Sequence, residues 1–319
     1  MTYPPQDPYG QPSPYGRPAG PVPQYGYQVP GGFGVPEPAY SGPDPLVPPS
    51  GSGISGWFDW VRATLARSWR LLGLIMLVTV AAPQIVLSVI GFAVGEAFDL
   101  DPVEVDGPVE VERPEFALGF ALAVLVVIVA LGFASALGWA AGIWAVTQQV
   151  AGRYVTLPMA LRAGLARALP MFGWAVVAAL LVAIGLILCI LPGLYAGVGA
   201  SLFAFVVMYE RGTGAIGRSF SLVHSVFGAV LGRVALLFLS WVVINLLVSC
   251  GFGAATSVAY VAVGGAAGSG LQLVGDVVGT LIDTALNGVL LVGLLITYTQ
   301  VRAGHEPLST PALVAALDS

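Results

Sequence analysis

The chain has 319 residues, of which 57% are hydrophobic and only 9% charged, with a mean hydropathy of +0.87 and a formal net charge of -5. Soluble domains carry about 25% charged residues, so a single water-facing fold is excluded and several segments must face lipid. All twelve basic residues are arginine, a bias of GC-rich bacterial genomes, and they stand at the edges of apolar runs, which suits lipid headgroups and speaks against a nucleic-acid face.

Residues 1–56 form a different polymer from the rest. Fifteen of the 24 prolines fall in the first fifty residues, mixed with Gly, Gln and Tyr. Proline removes backbone donors and glycine is costly to order, so a disordered tail of polyproline character is expected. It reads as a solvated tether, or as a tyrosine/proline docking segment for a protein partner or for self-association. The expected domains are this tail, a membrane domain over 57–305 and a short tail over 306–319.

Trp57 to Arg70 is amphipathic: Trp57, Trp60, Leu65 and Trp69 share one broad helical face, and Arg62, Arg67 and Arg70 supply charge. A helix at headgroup depth fits, and so does a plain N-terminal extension of the first span. Leu71–Gly95 can cross about 30 Å of hydrocarbon, with a kink expected at Pro83. Eight acidic residues from Glu96 to Glu115, against Arg113 alone, make an extracytoplasmic loop without calcium-loop spacing. Ala117–Val150 is the second span. Residues 150–169, carrying Arg153, Arg162 and Arg167, form a second amphipathic piece. Pro170–Ile190 is the third span, Leu191-Pro192-Gly193 a turn or break, and Leu194–Tyr209 a short fourth span. Glu210 to Val226, with Arg211 and Arg218, is the third amphipathic piece. The fifth span runs from near Val230 to at least Cys250. Residues 251–270 either lengthen that helix or form a loop lodged among helices. Leu271–Thr299 is the sixth span.

The expected fold is therefore an all-α bundle of six transmembrane helices in three hairpins, with interfacial amphipathic helices. Nearly all arginines fall before span one and after spans two, four and six. By the positive-inside rule both chain ends are cytoplasmic in a multi-pass plasma-membrane protein.

Three stretches share a layout: Ala63 to Trp69, Ala160 to Arg167 and Ala215 to Phe220, each ahead of a span. Spans two and six also end alike, in Thr147-Gln148-Gln149-Val150-Ala151-Gly152-Arg153 and Thr299-Gln300-Val301-Arg302-Ala303-Gly304. Leu191-Pro192-Gly193 opens a short span, Glu210 closes it, and Ala215-Ile216-Gly217-Arg218-Ser219-Phe220-Ser221-Leu222-Val223 with Gly228 leads into the next. On these residues the chain resembles the membrane domain attached to some bacterial glycerophosphoryl diester phosphodiesterases and the related uncharacterised six-span proteins. The resemblance implies the layout of residues 57–305. It implies no phosphodiesterase chemistry, which in that family belongs to a separate soluble barrel that this chain lacks.

Chemistry-bearing residues are few. Asp276, Asp283 and Asn287 lie on one face of the sixth span, at spacings of seven and four. Ionisable groups within a span point to an ion, proton or substrate pathway, or to bonding within the bundle, where Ser240, Asn245 and Ser249 are the expected partners. Arg233 is the other intramembrane charge. Its expected depth differs from that of Asp283, so it is expected to snorkel. Cys189 and Cys250 are expected as buried small hydrophobes. His224 and His305 have no partner at metal spacing, and without lysine no phosphate-binding GxxxxGK[ST] loop exists. No catalytic constellation, cofactor site or metal site is expected. The readings are a non-enzymatic membrane scaffold or accessory module and, as the alternative, a small transporter or lipid-handling permease.

Overall fold

The computed structural model describes residues 43–49, 51–98, 114–210, 214–263 and 265–319, which belong to one unit, Tyr40–Ser319. Every regular element among them is helical. The first is α1 (Ile54–Met76), which passes through a wide π turn (Leu77–Ala81) into α2 (Ala82–Phe98). Then come α3 (Pro114–Val150), α4 (Leu157–Leu188), α5 (Ile190–Ala200), α6 (Phe203–Tyr209), α7 (Ala215–Ser225), α8 (Phe227–Val263), α9 (Gly265–Ala303) and α10 (Thr310–Asp318). Six stretches are long and apolar enough to cross a bilayer, and they match the expected six spans: Ile54–Val94, Leu118–Val150, Leu157–Leu188, Ile190–Tyr209, Phe227–Val258 and Gly270–Ala303.

Two of the three amphipathic pieces are not separate helices. Trp57–Arg70 is the first half of α1, and Ala160–Arg167 lies in the first half of α4, with Pro170 inside that helix. Only Ala215–Ser225 stands alone, as α7. The three stretches nonetheless bury the same pattern, small residues four apart: Thr64 and Ser68, Gly164 and Ala168, Ala215 and Ser219. Small pairs at this spacing let helices approach closely. A Cβ on Gly164 would sit 2.7 Å from the backbone nitrogen of Ala141, so α3 and α4 nearly touch there.

Pro83 leaves its mark one turn early. It cannot donate a backbone hydrogen bond, and the chain absorbs this in the π turn, where Ala82 N–H reaches back to Leu77 O. Thr79 Oγ1 donates to Ile75 O at 2.8 Å in the same turn. The break expected at Leu191-Pro192-Gly193 is displaced to either side. Cys189 alone is extended between α4 and α5, and Pro192 sits in the first turn of α5, where its missing N–H has no intrahelical partner to lose. The second break, at Ser201 and Leu202, separates α5 from α6. Residues 251–263 and 265–270 lengthen α8 and α9.

The look-alike endings of spans two and six close differently. After α3, Gly152 takes φ 79°, Arg153 N–H bonds Gln148 O and Gly152 N–H bonds Gln149 O, a Schellman cap. After α9 no left-handed glycine follows, and His305 and Glu306 N–H both bond Arg302 O.

The core is off-centre. α3 packs along α4, α8 along α9, and α1 lies against both α3 and α9. The buried side chains gather where the arginines are: the first half of α1, the second half of α3, α6, α7, the end of α9 and α10. The opposite halves expose Val86, Ile90, Leu122, Leu125, Leu188 and Leu247. In a bilayer those faces are covered by lipid.

Both expected tails shorten. Residues 43–49 pack onto the bundle, with Leu46 fully buried, and residues 310–318 form α10. Asp44 joins them: its Oδ2 accepts Thr310 N–H at 2.7 Å and its Oδ1 accepts Leu46 N–H at 3.0 Å. A carboxylate at the start of α10 also complements the helix dipole. Leu46 O accepts from Thr299 Oγ1 at 2.7 Å. Residues 1–42 and the acidic loop 99–113 lie outside the described residues, and so do the readings made of them.

Candidate functional site

Asp283 and Asn287 meet as the helical spacing predicts. Asn287 Nδ2 donates to Asp283 Oδ2 at 3.1 Å and to Asp283 O at 3.0 Å. The partner from the fifth span is Trp241, whose indole N–H donates to Asp283 Oδ1 at 2.7 Å. Ser240 and Ser249 make no such bond, and Asn245 turns back to Trp241 O at 3.0 Å. Asp276 is exposed two turns away and does not join the pair. Cys189 and Cys250 are free and exposed, where burial was expected. Both sit on the apolar halves outside the packed core.

A second polar cluster lies at the arginine-bearing end, with Glu210 at its centre. Glu210 Oε2 accepts from Arg218 Nε at 2.8 Å, and Oε1 accepts from Tyr298 OH at 2.9 Å. Arg302 Nε stands 3.9 Å from Oε1 and its Nη1 donates to Tyr298 OH at 3.1 Å. Glu306 bridges both guanidiniums, Arg218 at 3.1 Å and Arg302 at 3.3 Å. The Glu210 carboxylate, bonded to Nε–H, pushes the Arg218 pKa above its ordinary value. The Tyr298 ring stacks between Phe205 and Tyr209, with centroids 5.7 and 5.6 Å away. Tyr209 OH meets Thr147 Oγ1 at 2.5 Å. Glu210 and Arg218 are legible as one motif and Arg302 as part of the shared span ending; Tyr298 and Glu306 belong to neither. The one local signal was Glu306 four residues after Arg302.

The interfacial arginines divide. Arg62, Arg67, Arg70 and Arg162 are exposed, with Arg70 lying over the Trp69 ring. Arg153 pairs with Asp318 at 2.7 Å, and both are about half exposed, so the pair contributes about 0–1 kcal/mol. Arg167 donates to Met208 O and, at 2.7 Å, to Leu317 O, tying α4 to α6 and α10. Arg218 belongs to the Glu210 cluster. Arg211 lies outside the described residues.

Arg233 packs inward, against the bundle. It is 6% exposed, its guanidinium lies over the Trp57 ring at 5.9 Å, and its Nε–H is buried without a hydrogen-bond partner. A cation–π contact contributes up to about 2 kcal/mol when desolvated, whereas burying an unpaired charge costs several. Arg233 lines a cavity of about 410 Å³ formed by residues 51–54, the start of α8 and the end of α9. Trp57 is itself fixed by its indole N–H, 3.0 Å from Thr297 Oγ1.

Among the described residues, no group of three His, Cys, Asp or Glu side chains could hold a metal ion. The six apolar helices define a multi-pass membrane protein. No family model matches the chain, and neither does any curated protein or solved structure.

Proposed function

We propose that the chain is a non-enzymatic scaffold or accessory module of a bacterial plasma membrane, with both ends of the chain on the cytoplasmic side. The observation that carries this reading is the Asp283 carboxylate. Both of its oxygens accept bonds from inside the bundle, from Trp241 and Asn287, and it does not line the cavity at Arg233. A carboxylate on α9 held by an indole from α8 and by an amide one turn along α9 acts as glue between the two helices. The bond between Asp44 and Thr310 supports placing the two ends at one face. The stretch 191–239, on which the family resemblance rests, uses its glutamate and arginine to close the bundle by the Glu210–Arg218 pair. That use is architectural, in line with a module that positions other molecules.

The test has two arms. In proteoliposomes loaded with a pH dye, wild type and D283N should show the same background proton leak; a flux that D283N abolishes would convert the reading to transport. In native membranes, crosslinking with and without residues 1–42 should show a specific partner set lost with the tail while the bundle keeps its thermal stability. An unchanged partner set would remove the docking role of that segment.

A further inference from the structure

We propose that the cavity at Arg233 binds the phosphate group of an anionic lipid, with Arg233 as the cation that contacts it. This goes beyond the scaffold reading and holds for a permease equally; it requires only that α8 be a membrane helix.

Four observations converge. Arg233 is more than nine-tenths buried, carries no salt bridge and keeps its Nε–H without an acceptor. Trp57 covers one face of the guanidinium, leaving its edge to find a partner. The cavity borders the start of α8, where the helix dipole favours an anion, although the Ala229 and Val230 N–H groups are already taken by Val226 O. Finally, Gln300 spends its Nε2 on Ser52 Oγ at 2.8 Å, so its Oε1 is buried without a donor on a residue lining the same cavity. A cation and an acceptor that both lack partners on the lining of one cavity match a phosphate ester that also carries a hydroxyl, once the two side chains turn outward to meet it.

The wall indicates which source of phosphate fits. Gly228, Ala229 and Gly232 are small and exposed, and Ile54 and Val226 add an exposed apolar rim above the buried floor of Arg233 and Val301. Such a rim suits a headgroup whose acyl chains run down the outside of α8. A free phosphate ion would leave it bare. Arg233 stands six residues into α8, roughly 9 Å from its start, so it belongs to the arginine-bearing end that leaves the hydrocarbon, where headgroups are met.

The test uses the full chain purified in a neutral detergent. Native mass spectrometry would titrate dioleoyl phosphatidylglycerol, dioleoyl phosphatidylcholine and inorganic phosphate against wild type, R233Q and G232L. A Cβ on Gly232 meets nothing within 4 Å, so leucine there fills the cavity without disturbing the backbone. Wild type should retain one phosphatidylglycerol roughly tenfold more tightly than phosphatidylcholine, whose phosphate can meet Arg233 but whose headgroup lacks the hydroxyl and brings a second cation beside the guanidinium. Both substitutions should abolish that preference, and each should melt within a few degrees of wild type in lipid-free detergent. Should R233Q fail to fold, G232L carries the test alone. Retention of phosphatidylglycerol unchanged in both variants, or no preference in wild type, would show a merely hydrated cavity and overturn the proposal. Saturable binding of inorganic phosphate without a lipid preference would overturn the lipid assignment and leave a soluble-anion site.

Discussion

Glu210 shows what one residue can do at a crossing of four segments. It closes α6, yet its carboxylate takes donors from α7 and α9 and shares them with Glu306 beyond α9. Its side chain is 16% exposed and that of Glu306 is 45% exposed, so the two acids are not equivalent. Replacing Glu210 by alanine leaves the Tyr298 hydroxyl and two guanidiniums short of an acceptor in a half-buried place. The expected cost is about 2–3 kcal/mol, against under about 1 kcal/mol for Glu306→Gln. Thermal unfolding in detergent would measure both, and equal losses would show that the cluster is solvated throughout. The motif Glu210 with Arg218 could be read because the two are eight residues apart. The pairing of that motif with Tyr298 and Arg302 could not, since nothing local links residues about ninety positions apart. Asp283 divides in the same manner. Its link to Asn287 follows from helical spacing, but Trp241 reads as one more aromatic in an apolar run until α8 and α9 are placed side by side.

At the scale of elements, the recurrent small pairs decide where helices touch. Ser219, the buried small residue of α7, does more than fit: its Oγ donates to Gly199 O at 2.7 Å and accepts Leu202 N–H at 3.2 Å. These bonds satisfy the backbone exposed where α5 gives way to α6, so α7 is the splint for that break. Ser219→Ala should cost about 1–2 kcal/mol by orphaning the Leu202 N–H, although it removes no bulk. Gly164→Ala should do worse for a different reason. Its new Cβ would press on the backbone of Ala141, which no rotamer change can relieve, so the expected loss exceeds about 3 kcal/mol or prevents accumulation of folded protein. Melting temperatures of the two variants would check this order, and a harmless Gly164→Ala would mean that α3 and α4 can separate there. Apolar runs located the spans because twenty or so such residues have few other uses. The boundaries of α1 and α4 were less legible. Arginine at a span entrance looks the same whether the helix bends into the interface or continues out of the bilayer, and the bond from the Trp57 indole to Thr297 Oγ1, which holds the start of α1 against α9, joins residues 240 positions apart.

For the whole molecule, length and burial together set the placement in the membrane. α9 has 39 residues and α3 and α8 have 37 each, so they are roughly 55–58 Å long against about 30 Å of hydrocarbon. Part of each must leave the lipid. The buried core lies at the arginine-bearing end and the uncovered apolar faces lie at the other. Water can be tolerated only around the end that has already buried its apolar side chains, so that end protrudes and the bare halves take the lipid. Exposed Arg70 and Arg162 then mark the rim of the protruding part, and exposed Leu125 marks the embedded part. Single cysteines at these positions, in a chain with Cys189 and Cys250 replaced by serine, would report on the arrangement. Arg70→Cys and Arg162→Cys should react with a membrane-impermeant maleimide only in inside-out vesicles. Leu125→Cys should resist both that reagent and a membrane-permeant maleimide, in either orientation, because a thiol in hydrocarbon does not ionise. Labelling of Leu125→Cys by the impermeant reagent would place the bare apolar halves in water, which their composition does not permit without a partner protein covering them.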